Sequence, residues 1–239
     1  LTAYYSLIKL GELKQDQWLL IHGGAGGVGL AALQIAKSVG AHVIATAGSK
    51  EKRDLLALLG ADHVLDSRSL EFSVEVLSLT GGEGVDAVLN SLAGEAMERS
   101  IEVVRPFGRF LELGKRDFYE NTKIGLRPFR KNVSYFGIDV DQLLSHDLAG
   151  ANDLIRQVFE HLRSGEFSLL PFRLYKGQNV RDAFRLMQRS GHIGKILVAP
   201  PSPKEVLEPV SPEPLAFDNE GFHVVVGGLG GFGAEVARW

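Results

Sequence analysis

The chain has 239 residues, of which 45% are hydrophobic and 23% are charged, a composition typical of a globular protein with a substantial core. Its 26 basic and 29 acidic residues give a net charge of −3, which argues against nucleic acid or an anionic membrane surface as a partner. The chain contains no cysteine, which excludes disulfides, thiol nucleophiles and cysteine-ligated zinc. No apolar run reaches the roughly 20 residues needed to span a bilayer, so we expect a soluble, cytoplasmic protein. The start at Leu1 without an initiator Met indicates an excised fragment.

Short apolar runs alternate with helical patterns through the first 199 residues, as is typical of βαβ units and a mostly parallel sheet. The apolar runs predict six strands, at residues 18–22, 42–46, 63–66, 85–90, 109–113 and 133–138, and a last short strand at 195–199. Helical periodicity predicts helices at residues 28–39, 50–59, 95–104, 152–163 and 180–189. This alternation predicts an α/β fold, built on a Rossmann-type doubly wound parallel sheet of six strands.

The pattern changes after residue 199. Residues 200–219 hold six prolines among acidic and polar side chains, which indicates an extended linker. Residues 220–239 contain one further predicted strand and a second glycine-rich turn at 228–233, too little to enclose a core of their own. We interpret them as the start of a following domain, and whether that turn binds a nucleotide stays open.

The first glycine-rich turn fits the pattern G-x-G-x-x-G, with Gly29 as its last glycine. It follows a predicted strand and opens a predicted helix, which is the context expected of a dinucleotide-binding turn. Glycines let backbone amides approach a pyrophosphate closely, and the helix N-terminus adds about half a positive charge; an ordinary tight turn is the alternative. The candidate cofactor-binding residues here are Gly24, Ala25, Gly26, Gly27 and Val28.

The residues after the second predicted strand indicate which dinucleotide is bound. An NAD-specific fold usually places Asp or Glu about 20 residues after the turn, but Thr46 is followed by Ser49, Lys52 and Arg53 and by no acid at the strand end. Cations there would attract a 2′-phosphate, which Arg can bind bidentately, so we predict NADP(H). The alternative is a solvated helix start with Ser49 as its N-cap. Arg68, just after the third strand, is a further candidate beside the adenine, although an ordinary loop explains it equally well.

Four motifs give the chain a specific resemblance to a known family. AGGVG at 25–29, VLNSL at 88–92, RFLELGK at 109–115 and HIGK at 192–195 resemble, in order and spacing, the NADPH-dependent enoyl reductase domains of type I polyketide synthases and animal-type fatty acid synthases. These domains belong to the medium-chain dehydrogenase/reductase superfamily. Residues 224–233 resemble the first strand and cofactor turn of a ketoreductase domain, which follows the enoyl reductase in such synthases. The expected division is therefore an NADP(H)-binding part of an enoyl reductase at 1–199, a linker at 200–219 and a truncated ketoreductase start at 220–239.

The resemblance also implies site residues near the carboxyl ends of the strands, where the crevice of such a sheet lies. The family's lysine matches Lys115, and its aspartate aligns best with Asp141, with Asp139 as the alternative. These side chains would stabilise the oxyanion that develops when hydride arrives and would route a proton. The alternative is that Lys115 and Asp141 form a solvated ion pair in loops, without a catalytic role. Further cofactor-binding positions implied by the second and third motifs are Asn90, Ser91, Leu92, Leu113 and Gly114.

Two departures from the family pattern bear on activity. The family's enoyl reductases carry an N-terminal GroES-like substrate subdomain, and we expect the present chain to lack it. Zinc-binding members of the superfamily use Cys and a Gly-His-Glu segment, and this chain has neither, so we expect no metal.

The resemblance implies that NADPH reduces the α,β double bond of an enoyl thioester carried on an acyl carrier protein. The partners implied are that carrier and the neighbouring synthase domains, and a homodimer is compatible with the sequence. Two other functions stay open: a free-standing quinone or alkenal reductase of the same superfamily, and a non-catalytic NADP(H)-binding module. The proline-rich segment and second glycine turn argue against the first, and Lys115 argues against the second.

Overall fold

The computed structural model describes residues 1–200, which form one compact unit. Apart from Pro200, the predicted linker and the second glycine-rich turn lie outside the described residues. The strands are β1 (Trp18–Ile21), β2 (His42–Ala47), β3 (His63–Asp66), β4 (Val85–Asn90), β5 (Val104–Glu112), β6 (Ser134–Gly137), β7 (Phe172–Lys176) and β8 (Lys195–Ala199). The α-helices are α1 (Thr2–Tyr4), which continues as a π-helix over Tyr5–Leu10, α2 (Gly27–Val39), α3 (Lys50–Leu58), α4 (Phe72–Leu79), α5 (Glu95–Glu102), α6 (Arg116–Tyr119), α7 (Val140–His146), α8 (Leu148–Ser164) and α9 (Val180–Gln188).

Six of the strands form one parallel sheet in the order β3-β2-β1-β4-β5-β6. The predicted six-stranded Rossmann-type sheet is thereby confirmed. The strand order reverses between β1 and β4, so the crevice between the loops that follow these two strands is the expected ligand site of such a sheet.

Both faces of the sheet are covered, as expected for parallel strands joined by helical crossovers. Leu19 and Ile21 in β1 point into a core layer that includes α2 and the N-terminal helix, whereas Leu20 between them belongs to the opposite layer, with α4 and α5. All three leucine and isoleucine side chains are fully buried. This alternation follows from the two-residue side-chain period of a strand, and the buried sheet gives the loops at its carboxyl edge a rigid base.

Several elements differ from the predicted ones, for identifiable reasons. Helix α4 was not predicted, because its exposed face is also apolar, with Val74 exposed opposite the buried Phe72 and Val76. Strand β5 begins at Val104, which the periodicity assigned to a helix; a register irregularity opposite β4 and a left-handed backbone at Phe107 interrupt the strand's alternation.

Strand β7 was also not predicted. Four of its five residues are exposed, so the strand lacks the alternation of buried and exposed side chains. It pairs in parallel with β8 to form a separate two-stranded sheet. A parallel bridge between Gly26 and Gly194 connects the start of β8 to the glycine-rich turn. Within residues 1–200, no helix is both long and apolar enough to cross a membrane.

Candidate functional site

The glycine-rich turn connects β1 to α2 at the point where the strand order reverses. The Gly24 amide donates to the Thr46 carbonyl at 2.9 Å, and the Gly26 amide donates to the Gly23 carbonyl at 3.0 Å. A Cβ at Gly29 would lie 2.6 Å from the Gly23 carbonyl oxygen, so only glycine lets the helix approach the turn this closely. Gly26 caps α2 without a side chain, which leaves the helix N-terminus open to an anion.

A groove of about 340 Å³ runs past this turn. Its walls come from the turn itself, from the ends of β2 and β3, from the start of α3 and from the segment that follows α9. The lining residues are Gly23, Ala25, Gly26, Ala47, Gly48, Ser49, Lys52, Ser67, Arg68, Arg189, Ser190 and Gly191. The glycine-rich turn thus meets Ser49, Lys52 and Arg68, three of the residues predicted to contact the nucleotide, in one cavity.

The charged residues that line this groove are all cations, namely Lys52, Arg68 and Arg189. Burial and the neighbouring Arg68 guanidinium lower the pKa of Lys52. Arg53 does not line the groove; its guanidinium donates to Asp66 at 3.0 Å and to the Ala47 carbonyl at 3.1 Å. None of the three cations has a carboxylate partner within residues 1–200. A pocket lined by such cations favours a phosphate-bearing ligand.

The other residues after β2 that were predicted to select the nucleotide play local structural roles in this structure. Ser49 is the N-cap of α3, and its hydroxyl accepts from the Lys52 amide at 3.4 Å. The Thr46 side chain is fully buried beneath the groove and does not line it. All the cofactor contacts expected from the sequence stay predictions, and Thr46 and Arg53 do not line the groove.

Thr46 instead belongs to a buried network around His22, the residue that ends the first predicted strand. The imidazole lies 3.1 Å from the Thr46 hydroxyl through Nδ1 and 2.8 Å from the Ser100 hydroxyl through Nε2. Because the Ser100 hydroxyl donates to the Ala96 carbonyl, we assign the imidazole proton to Nε2, with Thr46 donating to Nδ1. Burial lowers the pKa of His22 to about 3, so the ring is neutral at physiological pH.

A second buried polar pair joins the ends of β4 and β5. The Asn90 amide donates to the Glu112 carboxylate at 2.6 Å and to the Leu92 carbonyl at 2.8 Å, and the Gly114 amide donates to Glu112 at 2.5 Å. The Leu113 amide donates to the Asn90 carbonyl at 2.9 Å. Burial raises the pKa of Glu112. These bonds hold in place the two loops that carry most of the positions implied by the family motifs.

Of those positions, Ser91 lies beside the glycine-rich turn. It is exposed, and its hydroxyl lies 3.4 Å from where a Cβ on Gly23 would be. Asn90, by contrast, is fully buried and acts through the loops it bonds. The carboxyl edge is thus shared by exposed residues that a ligand can reach and buried residues that position them.

Lys115 follows these loops and lies beside both candidate aspartates. Its ammonium is 2.9 Å from Asp139 and 3.5 Å from Asp141. Asp139 is also the N-cap of α7 and accepts from the Asp141 amide at 3.2 Å. The hydrogen bond to Asp139 is the main cause that raises the pKa of Lys115, and the same bond lowers the pKa of Asp139. Lys115 is therefore positively charged at neutral pH, and the nearer carboxylate is that of Asp139.

Sequence reasoning missed three residues that this geometry brings to the site. Glu112 was quoted within a motif but given no role, although an acid that ends a buried strand is unusual. Arg189 and Lys195 come from the end of the described unit, and nothing local relates them to a turn so early in the chain.

Comparison with known proteins places this architecture in a family. A family model described as "Zinc-binding dehydrogenase" matches residues 27–165. The full chain is 42% identical to part of a phenolphthiocerol/phthiocerol polyketide synthase of Mycobacterium tuberculosis, covering 100% of this chain and 11% of that protein. The chain thus spans about a tenth of the length of this curated relative.

Two solved structures are similar as well. The nucleotide-binding subdomain of the enoylreductase domain of PpsC from Mycobacterium tuberculosis is 44% identical, with a TM-score of 0.67, over 71% of this chain and 94% of that one. The CurF ER cyclopropanase from the curacin A biosynthetic pathway is 35% identical, with a TM-score of 0.77, over 84% of this chain and 59% of that one.

The described residues do not fit the zinc ion that the family description names. The chain has no cysteine, and within residues 1–200 no group of three or more His, Asp or Glu side chains is arranged to hold a metal ion. Zinc needs three or four such ligands at one point. The family likeness therefore concerns the nucleotide-binding fold and its carboxyl-edge loops.

A six-stranded parallel sheet, a glycine-rich turn at the reversal of strand order and a groove lined by cations are parts of one nucleotide-binding unit. The 94% coverage of a solved subdomain of the same kind leaves little of that unit unmatched. The chain accordingly belongs to the medium-chain dehydrogenase/reductase superfamily and, within it, to the enoyl reductase domains of polyketide synthases.

Proposed function

We propose that this chain binds NADPH and serves the reduction of the α,β double bond of an enoyl thioester held on an acyl carrier protein. The choice of NADPH rests on the charge of the groove where β2 ends. There Ala47 and Gly48 close β2 without a carboxylate, while Lys52, Arg68 and Arg189 line the same cavity. A dianionic 2′-phosphate complements this charge, whereas the ribose hydroxyl of NADH would leave the cations unpaired.

The chemistry follows from the carboxyl-edge loops. NADPH held in this groove would supply the hydride that adds to the β-carbon of the unsaturated thioester, and negative charge would then develop on the thioester oxygen. The positive charge of the Lys115 ammonium would stabilise that oxygen. The side chain is exposed, so a substrate can reach it, and Asp139 and Asp141 hold it in place. The same ammonium can pass a proton toward the α-carbon. Glu112 and Asn90 orient the turn that carries Lys115.

The proposal extends to partners and to the isolated chain. About 41% of the CurF ER chain lies outside the match. We propose that a substrate subdomain, in addition to the residues matched here, must cover the nicotinamide. The isolated 239 residues would then bind NADPH but reduce enoyl thioesters feebly, since misplacing a reacting pair by about 1 Å can cost 100-fold in rate. An acyl carrier protein, the neighbouring synthase domains and a second copy of the chain are the proposed partners.

Calorimetric titration of the 239-residue chain with NADPH and with NADH tests the cofactor proposal. We expect tighter binding of NADPH, and we expect Lys52→Ala to weaken NADPH about 10- to 150-fold, because a charge-assisted hydrogen bond contributes about 1.5–3 kcal/mol. Arg53→Ala serves as the comparison. Its guanidinium is already paired with Asp66, so we expect a smaller loss.

Equal affinity of the unaltered chain for NADH and NADPH would contradict the proposal. Circular dichroism of each variant controls for folding. The alternative function, a quinone or alkenal reductase of the same superfamily, leaves one other activity to test, and assays with a quinone and with a crotonyl thioester on an intact enzyme would separate the two.

A further inference from the structure

The start of β5 departs from the regular ladder of the sheet. The residue pairs on either side leave residues 105–108 of β5 opposite the single residue Asp86 of β4. A bulge of this kind changes the direction in which a strand presents its side chains. It places Phe107 at the amino edge of the sheet, which is the edge opposite the cofactor groove and Lys115.

Both the backbone and the side chain of Phe107 are unusual. Its φ angle of 62° lies in the left-handed region, which bulky side chains rarely adopt because their Cβ crowds the backbone there. The residue is also 74% exposed, so burial within residues 1–200 offsets little of that strain. Packing inside this unit therefore does not account for a phenylalanine at this position. Strained residues that persist without such an account are concentrated at functional sites.

Phe107 forms part of the wall of a groove of about 320 Å³. The other walls come from the segment between the N-terminal helix and β1, from β5 and from the edge strand β6. Gln17, Arg109 and Ser134 give the groove a polar lining, and Phe136 adds a second aromatic side chain. An exposed aromatic ring beside a concave polar surface matches the anatomy of protein interfaces, in which an aromatic anchor is surrounded by polar groups.

The charge around this groove indicates the chemistry of a partner. Lys14 and Arg109 line the groove together with one acid, Glu12. Lys131 adds a cation at the start of β5, where its ammonium donates to the Val104 carbonyl at 3.3 Å. Within residues 1–200 none of these three cations pairs with a carboxylate. This edge is therefore locally positive although the whole chain carries a net charge of −3, and it complements an acidic surface.

We propose that Phe107 and the groove beside it form a docking surface for an acidic, partly apolar segment of a neighbouring domain in the same polypeptide. The inference rests on the proposed association with neighbouring synthase domains and adds to it the surface and its chemistry. The chain spans about a tenth of its curated relative, so most of such a polypeptide lies outside the residues that match. Because the docking surface lies opposite the cofactor groove, this contact can persist while the cofactor enters and leaves.

The thermal stability of the 239-residue chain tests whether Phe107 is strained without compensation. We expect Phe107→Gly to raise Tm by about 2–4 °C, because glycine adopts a positive φ without strain and little burial is lost. Asn132 also has a positive φ, of 57°, but asparagine tolerates this region, so Asn132→Gly is the matched control and should shift Tm by less than about 1 °C. A lower Tm for Phe107→Gly would overturn the inference, since it would show that the ring packs within the chain.

Photochemical cross-linking in an intact synthase that contains this chain identifies the occupant. The photoreactive amino acid p-benzoylphenylalanine replaces Phe107 and, in a control, Phe159, which is 59% exposed on α8. We expect the probe at position 107 to cross-link more strongly than the control. The expected product is a peptide of the same polypeptide outside these 239 residues, in which Asp and Glu outnumber Lys and Arg.

A mixture of isotopically light and heavy enzyme separates links within one polypeptide from links between two copies. Links between copies, links within the 239 residues, or a yield no higher than that of the control would each overturn the inference. A cross-linked peptide in which Lys and Arg prevail would overturn it as well, because the assigned charge complementarity would then be wrong.

Titration with NADPH keeps these outcomes apart from the proposed function. Phe107→Gly should bind NADPH as the unaltered chain does, because the docking surface lies at the other edge of the sheet. If the unaltered chain binds NADPH and the probe finds no acidic neighbour, the docking surface is rejected and the cofactor proposal stands. If the unaltered chain binds neither NADPH nor NADH, the proposed function itself fails, whatever the probe contacts.

Discussion

At the scale of single residues, the proposed chemistry depends on Lys115, whose ammonium lies beside two carboxylates at the carboxyl edge of the sheet. The pairing with Asp139 raises the Lys115 pKa, so the group is charged throughout the neutral range. A charged lysine is suited first to stabilising a developing oxyanion, and only then to transferring its proton. Asp139 and Asp141 both reach the same ammonium, so we expect either carboxylate to hold it when the other is removed.

We predict that Lys115→Ala, in an active enoyl reductase that contains this chain, lowers kcat about 100- to 1,000-fold and changes NADPH affinity little. Asp141→Ala and Asp139→Ala should each be milder, about tenfold or less, because each leaves one carboxylate beside the ammonium. Single-turnover reduction of a crotonyl thioester measures the chemical step directly. Near-normal turnover by Lys115→Ala would identify the lysine as a bystander.

At the scale of secondary-structure elements, the His22 network ties the end of β1 to β2 and to α5. The fold holds the ring neutral, and the folded-state pKa of about 3 lies well below the ordinary value of 6.5. A base whose pKa is depressed by folding contributes stability that is fully present above its unfolded pKa. That contribution is lost as the pH falls from about 6.5 toward 3.

We therefore predict that His22→Gln flattens the acid side of the stability profile. In the unaltered chain, protonation of this one group should lower the folding equilibrium constant close to tenfold for each pH unit below about 6. Urea unfolding between pH 7 and pH 4.5 measures the slope, and His146→Gln on the exposed surface of α7 is the matched control. Parallel profiles for His22→Gln and the unaltered chain would show that the ring does not resist protonation.

At the scale of the whole molecule, the residues that line the groove all lie within the compact unit of residues 1–200. We predict that deletion of residues 201–239 changes NADPH affinity by less than about twofold, or about 0.4 kcal/mol. Titration of the shortened and full chains under the same buffer conditions provides the measurement. A loss of tenfold or more would mean that the C-terminal residues contribute to the cofactor site.

Much of the fold was predictable because its signals are local. A strand and the helix that follows it are encoded within a few tens of residues. For β1 and α2 the signals are an apolar run, a glycine-rich turn and a helical period. The six-stranded sheet and the position of the turn between β1 and α2 follow from such runs. Helix α4 and strand β7 escaped, since apolar residues such as Val74 and Phe172 are exposed there and the expected alternation is lost.

Some features of the candidate site were likewise predictable from neighbouring residues, whereas others depend on contacts between distant parts of the chain. Composition after β2 was enough to predict NADP(H), because the missing carboxylate and the nearby Lys52 are adjacent in sequence. Tertiary structure alone decided that Arg53 pairs with Asp66 and that Asp139 lies nearer Lys115 than Asp141 does. It also decided that Arg189 lines the groove and that Lys195 lies against Gly27. Those outcomes depend on distances between side chains from different elements, which packing of the sheet and its crossovers sets and which no local pattern encodes.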